Sequence, residues 1–282
     1  MLTSVIWGVG FVAIKFGLQS FSAPELTAMR FLIACLPAFL VPRPRLSWAS
    51  ITLIGLTLFT GQFLLLFFAL ARGLPPGLAS VTQQTQAFFT VLLAAAFLRE
   101  IPTGRQVFSL AIAFAGLTLI GSTTGSDLTL TGLALGLAGA FSWAIGNVLV
   151  KRTVTVPMFP LVVWASLIPP LPALIVSTVF DRPVALWEAV TTASWLSIGA
   201  AFYLGTMATL VAYAIWGGLL QRYPTGIVAP FALLVPCTGI ASSAVILGEV
   251  FSPTRYAGAG LILAGLAALV WPAGTRDRRR VT

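Results

Sequence analysis

The chain has 282 residues, 58% of them hydrophobic and only 8% charged, with a mean hydropathy of +1.00. A domain of this length in water carries about a quarter of its residues as charges, so a water-facing globular fold is excluded and the solvent is lipid. The formal charge of +9 arises from residues placed between apolar segments, with no basic face interleaved with aromatics; this argues against nucleic acid as a partner and for the charge bias of membrane loops.

Crossing the hydrocarbon core takes roughly 20 apolar residues. Breaks at charges and Pro/Gly clusters predict ten transmembrane helices, near 2–18, 25–42, 48–71, 77–97, 104–122, 130–150, 158–179, 194–216, 225–247 and 255–271. The first begins almost at Met1 and runs into Lys15 without the n-region or small-residue cleavage site of a signal peptide. It carries Trp7 and Gly10. Span 2 holds Arg30 about a turn and a half inside, from where a long side chain snorkels outward.

Span 4 contains the densest polar cluster, Thr82-Gln83-Gln84-Thr85-Gln86. Gln83, Gln86 and Thr90 fall on one helical face at i, i+3 and i+7. Neutral amides donate and accept, which suits a zwitterionic or polyfunctional solute; the same amides also bridge packed helices. Glu100 closes span 4 and Glu249 closes span 9, where a carboxylate opposes the helix dipole. Arg99, Arg105 or Arg255 is the expected partner, in a structural ion pair or a gate.

Span 6 presents Trp143, with Asn147 one turn on. Trp usually anchors at the lipid interface, yet Trp7 and Trp143 recur at one depth, which favours pocket lining for both and for Trp164 of span 7. Pro169, Pro170 and Pro172 interrupt span 7, while Pro230 and Pro236 interrupt span 9; bends there would be rocking points. In span 8, Tyr203, Thr206, Thr209 and Tyr213 form a stripe that either sandwiches an apolar side chain of a solute or packs as core. Gly258, Gly260, Ala264 and Ala268 give span 10 a small-residue surface for close packing, within the chain or between copies. Oligomeric state is not readable from it.

Charge orients the chain. With the N-terminus cytoplasmic, eleven Lys and Arg fall inside (Arg43, Arg45, Arg99, Arg105, Lys151, Arg152, Arg222 and the tail Arg276, Arg278, Arg279 and Arg280) against four outside (Lys15, Arg72, Arg182 and Arg255). Both termini are therefore expected in the cytoplasm, in a bacterial inner membrane.

The chain also repeats itself. At a shift of 149, Pro75 meets Pro224, Gly77 meets Gly226, Glu100 meets Glu249 and Gly116 meets Gly265; at 136, Trp7 meets Trp143, Gly10 meets Gly146 and Lys15 meets Lys151. One insertion of 13 reconciles the two. Residues 1–125 and 126–282 thus read as two five-helix halves. Five is odd, so the halves are expected to be inverted repeats, an architecture of secondary transporters with a site at the repeat interface that channels also use.

Several stretches resemble one family. Trp7-Gly8-Val9-Gly10-Phe11-Val12-Ala13-Ile14-Lys15 resembles the first helix of the EamA type within the drug/metabolite transporter superfamily. Phe97-Leu98-Arg99-Glu100 and Leu247-Gly248-Glu249 resemble its helix ends, and Ser142-Trp143-Ala144-Ile145-Gly146-Asn147 before Lys151-Arg152 resembles the start of its second unit. Within it the likeness is to YddG-type exporters of aromatic and other amino acids. Gly10 stands where many members carry Asn, while Asn147 keeps polarity at the equivalent level. The resemblance implies export by alternating access, with purines, drugs and other metabolites as alternative cargo.

Absences narrow the chemistry. The chain has no His, and Cys35 and Cys237 lie in apolar segments, so neither His-ligated metal nor a disulfide is expected. No P-loop or paired catalytic carboxylates occur, which argues against an ATP-driven pump and an intramembrane enzyme; no cofactor is implied. No acid lies mid-span, which leans toward facilitated rather than proton-coupled movement. A neutral lining disfavours polyamines and phosphorylated sugars, leaving neutral or zwitterionic solutes. A channel or a non-transporting scaffold stays open.

Overall fold

A computed structural model describes residues 1–98, 101–125, 127–151, 156–180, 186–223 and 229–270. Arg99, Glu100, Arg182 and the tail arginines lie outside these. All regular structure among the described residues is helical, because in lipid each backbone N–H and C=O must find a partner within its own segment.

Six stretches are long and apolar enough to span a bilayer, namely Trp48–Ala71, Gly104–Gly121, Leu130–Lys151, Met158–Val179, Trp195–Leu219 and Pro253–Val270; Leu2–Gly17 and Phe231–Leu247 are shorter apolar helices. The protein is thus an all-helical, multi-pass membrane protein. We denote Leu2–Gly17 α1, Ala23–Cys35 α2, Trp48–Ala71 α3, Pro76–Thr82 α4, Thr85–Leu98 α5, Gly104–Gly121 α6, Leu130–Lys151 α7, Met158–Ala165 α8, Pro170–Phe180 α9, Leu186–Thr192 α10, Trp195–Leu219 α11, Leu234–Leu247 α12 and Pro253–Val270 α13.

The remaining predicted spans are shortened or divided for local reasons. Ser22 and Glu25 form a reciprocal capping box at the start of α2, and near Pro37 the helix tightens into a 3₁₀ turn, Leu36–Phe39. Span 4 divides into α4 and α5 at Gln83-Gln84. There the Thr85 hydroxyl donates to the Thr82 carbonyl at 2.7 Å, and i→i−3 bonds from Gln84, Gln86 and Ala87 replace the α-helical ladder. Span 7 divides at Ser166–Pro169 into α8 and α9.

Both α3 and α11 widen into π-helix, at Gly55–Gly61 and Thr206–Val211. In α3, Thr57 donates to Leu53 O at 2.7 Å and Thr60 to Gly55 O at 3.1 Å. In α11, Thr206 donates to Phe202 O at 2.7 Å and Thr209 to Leu204 O at 2.8 Å. Each of these four residues and its partner is 149 positions from its counterpart. The two helices also start alike, two positions out of that register: Ser47 accepts from Ser50 N, and Ser194 from Ser197 N.

Packing is interleaved. α1 lies on α12 and α11, whereas α7 lies on α3 and α5. The α6–α13 contact is extensive and rests on glycine. A Cβ on Gly116 would stand 2.5 Å from Gly258 O, and one on Gly265 would stand 2.8 Å from Ser109 O; these two contacts also exchange under the 149 shift. Gly260 of the expected small surface meets nothing within 4 Å.

Candidate functional site

Among these helices lies a cavity of about 280 Å³ bounded by α1, α2, α3, the α4–α5 break, α5, α7, α8, α11 and α12. Trp7, Gly10, Gln83, Gln86, Trp143, Asn147 and Tyr213 line it, so both halves of the sequence supply walls.

Its aromatic side is built around Trp7. The indole Nε1 donates at 2.9 Å to Ala208 O, in the π turn of α11. The ring meets Tyr213 and Trp216 edge-on, with centroids 5.3 and 5.6 Å away. These amphipathic rings form an apolar wall that keeps polar handles.

The polar side is a set of oriented amides. Asn147 Nδ2 donates to Gln86 Oε1 at 2.6 Å and to Thr90 Oγ1 at 3.4 Å, which uses both amide hydrogens and leaves the side-chain carbonyl as its acceptor. Gln83 Nε2 donates to Gly136 O at 3.0 Å. The Oε1 atoms of Gln83 and Gln62 are buried without a partner among the described residues. Thr90 stands behind Asn147 rather than on the wall.

Three expectations change. Arg30 does not snorkel outward: it is only 3% exposed, lines the cavity, donates from Nε to Thr209 Oγ1 at 2.9 Å, and lays its guanidinium 3.7 Å from the centre of the Phe63 ring. The lining expected to be neutral therefore carries a cation. Gln83, Gln86 and Thr90 do not share one continuous helical face, since the helix is interrupted at Gln83-Gln84. Glu249 pairs with no arginine among the described residues; its Oε2 accepts from Gly77 N at 3.0 Å, and burial raises its pKa against the pull of that N–H. Arg255 instead takes Asp127 in a bidentate pair and also bonds Thr123. Glu100, expected in a structural ion pair or a gate, lies outside the described residues.

The other candidates sit away from the cavity wall. Trp164 donates to Val41 O at 2.9 Å and meets Trp48 edge-on. Tyr203 donates to Ile6 O at 2.8 Å and holds α11 to α1. Pro236 falls in the first turn of α12, where its missing N–H costs least; its carbonyl accepts from Ser80 Oγ at 3.4 Å. Pro230 lies in the 3₁₀ turn Ala229–Leu233 that leads into α12. Sequence reading passed over Gln62, Phe63 and Trp216; the signal at Gln62 was a lone amide in an otherwise apolar span.

A probable amino-acid metabolite efflux pump of Salmonella typhimurium is 40% identical over 100% of this chain and 97% of its own length. A probable amino-acid metabolite efflux pump of Escherichia coli is 38% identical over 100% and 96%. A solved crystal structure superposes with a TM-score of 0.66 at 18% identity, covering 95% of this chain and 93% of that one, and has the same fold. Residues 1–122 and 130–271 each match the EamA-like transporter family. That family consists of transporters rather than enzymes, and this chain belongs to it.

Proposed function

We propose that the protein exports small neutral or zwitterionic solutes, foremost amino acids and their metabolites, by alternating access between two inverted five-helix halves, residues 1–125 and 126–282. The observation that carries this reading is the shared cavity: Trp7 and Gln83 of one half face the same space as Asn147 and Tyr213 of the other. A change in how the halves pack would open that space to alternate sides, and a solute would bias the equilibrium only by its differential affinity for the two packings. The matched π turns and glycine contacts at a shift of 149, and the separate family match of each half, support the repeat. The efflux named for the two bacterial relatives supports amino-acid cargo and direction, and the Trp7–Tyr213–Trp216 cluster supports an aromatic or other apolar side chain on it. An inner-membrane location with both termini cytoplasmic follows from the loop charges.

Purified protein in liposomes, given radiolabelled amino acids with and without a pH gradient, tests the reading against protein-free vesicles. Saturable uptake competed by Phe, Trp, Met or Thr and indifferent to the gradient is expected. No uptake above empty vesicles by folded protein would sink the amino-acid reading and leave nucleobases and drugs.

A further inference from the structure

We infer that Arg30 is the carboxylate-binding residue of the transport site, so that the cargo must carry a free carboxylate; this rests on the cavity being the transport site. Arg30 is a buried cation in an apolar protein, and no carboxylate pairs with it among the described residues. A guanidinium inside a membrane without an anion is costly, and such a group marks a ligand path rather than a stabilising contact. Its surroundings steady the side chain without neutralising it. Thr209 takes only Nε, and Phe63 offers a ring face. Both terminal nitrogens have no hydrogen-bond partner among the described residues, which leaves a planar fork of N–H donors beside the cavity.

A fork of that shape matches the two oxygens of a carboxylate. Phosphate fits the same fork, but a phosphoryl dianion needs a second cation, and among the described residues Arg30 is the one Lys or Arg side chain lining the cavity. A monocarboxylate balances one guanidinium. The acceptor left on Asn147 and the ring wall at Trp7 then suit the ammonium group and side chain of an α-amino acid. Amines, amides and esters lacking the carboxylate would leave the fork unpaired.

The test is binding of L-phenylalanine and L-methionine, and of their amides, to purified protein in nanodiscs by calorimetry, for wild type, Arg30→Gln and Arg30→Lys. Wild type is expected to favour each acid over its amide by roughly 30-fold or more, the lower end for truncating one side of a buried charge pair. Arg30→Gln should lose that margin on the acids while binding the amides no more weakly than wild type, and Arg30→Lys should fall between. A purely structural arginine would lower affinity for acids and amides together. Wild-type protein that binds acids and amides equally overturns this inference alone, with no variant needed. Arg30→Gln that binds the acids as wild type does overturns it too, and wild type that binds none of the four overturns it together with the amino-acid reading.

Discussion

Thr60 and Thr209 stand 149 residues apart, and each hydroxyl donates to a carbonyl five residues back across a π-helical turn. They differ in one respect: Thr209 also accepts from Arg30 Nε, which connects the cation in the cavity to a turn of α11. π turns of this kind gather at functional sites.

The pair therefore makes an internal control. Thr209→Val should lower stability and weaken amino-acid binding several-fold, because Arg30 loses the bond that orients it. Thr60→Val should lower stability alone, by about 1 kcal/mol for one hydrogen bond. Melting in detergent and calorimetry on both variants read this. Equal binding losses in the two would disprove a special role for Thr209.

At the α6–α13 contact, Gly116→Val places a side chain where Gly258 O already stands 2.5 Å from the ideal Cβ. Neither backbone can yield cheaply, so a loss of about 3 kcal/mol, at the upper end of ordinary overpacking, is expected. Gly260→Ala, on the facing helix α13 and in open space, should be neutral or slightly stabilising. Thermal midpoints of the two variants separate close packing from mere glycine content.

Asp127 responds to acid in a defined window. The Arg255 hydrogen bonds hold its carboxyl down from 3.8 to about 2. A lowered folded-state pKa contributes stability that is complete above the ordinary value and is lost as pH falls through the folded one. Asp127→Asn should therefore melt below wild type at neutral pH, with the difference closing between pH 4 and about 2. A difference unchanged over that range would exclude the ion pair as its source. The Asp127 side chain is 61% exposed, so solvent screening keeps the effect small.

Glu249 meets α4 through a backbone N–H and needs an acceptor more than a charge. Glu249→Gln keeps an oxygen for Gly77 N and should change stability little, whereas Glu249→Leu strands a half-buried donor and should cost about 1–3 kcal/mol. Comparing their melts distinguishes a cap from an ion pair.

Part of the cavity wall was legible because some amides and indoles are conspicuous in apolar sequence, whereas the Gln62 amide and the Trp216 indole, which also line it, were not singled out. Gln83, Gln86, Trp7 and Asn147 stand out in apolar runs whatever their neighbours. Arg30 was misread because depth along a span gives the distance to the water but not the partner, and Thr209 lies 179 residues away in sequence. Tyr203 and Tyr213 show another limit. A reading at 3.6 residues per turn puts them on one stripe, but the π turn between them changes the phase. Tyr203 then reaches back to Ile6 O and Tyr213 faces the cavity. Likewise the division of span 4 was invisible to hydropathy, since it depends on Thr85 bonding its own backbone.

The exchange of helices, with α1 lying on α11 and α12 and α7 on α3 and α5, has a consequence for biogenesis. When the ribosome has delivered the first half, α1 lacks most of its packing partners and Arg30 lacks Thr209. The early helices must wait in the bilayer in a provisional arrangement until α7 arrives to cover α3 and α5. Assembly is then a late event for the whole chain, and the N-terminal half made alone should be a target for membrane proteases until a separately encoded C-terminal half is supplied.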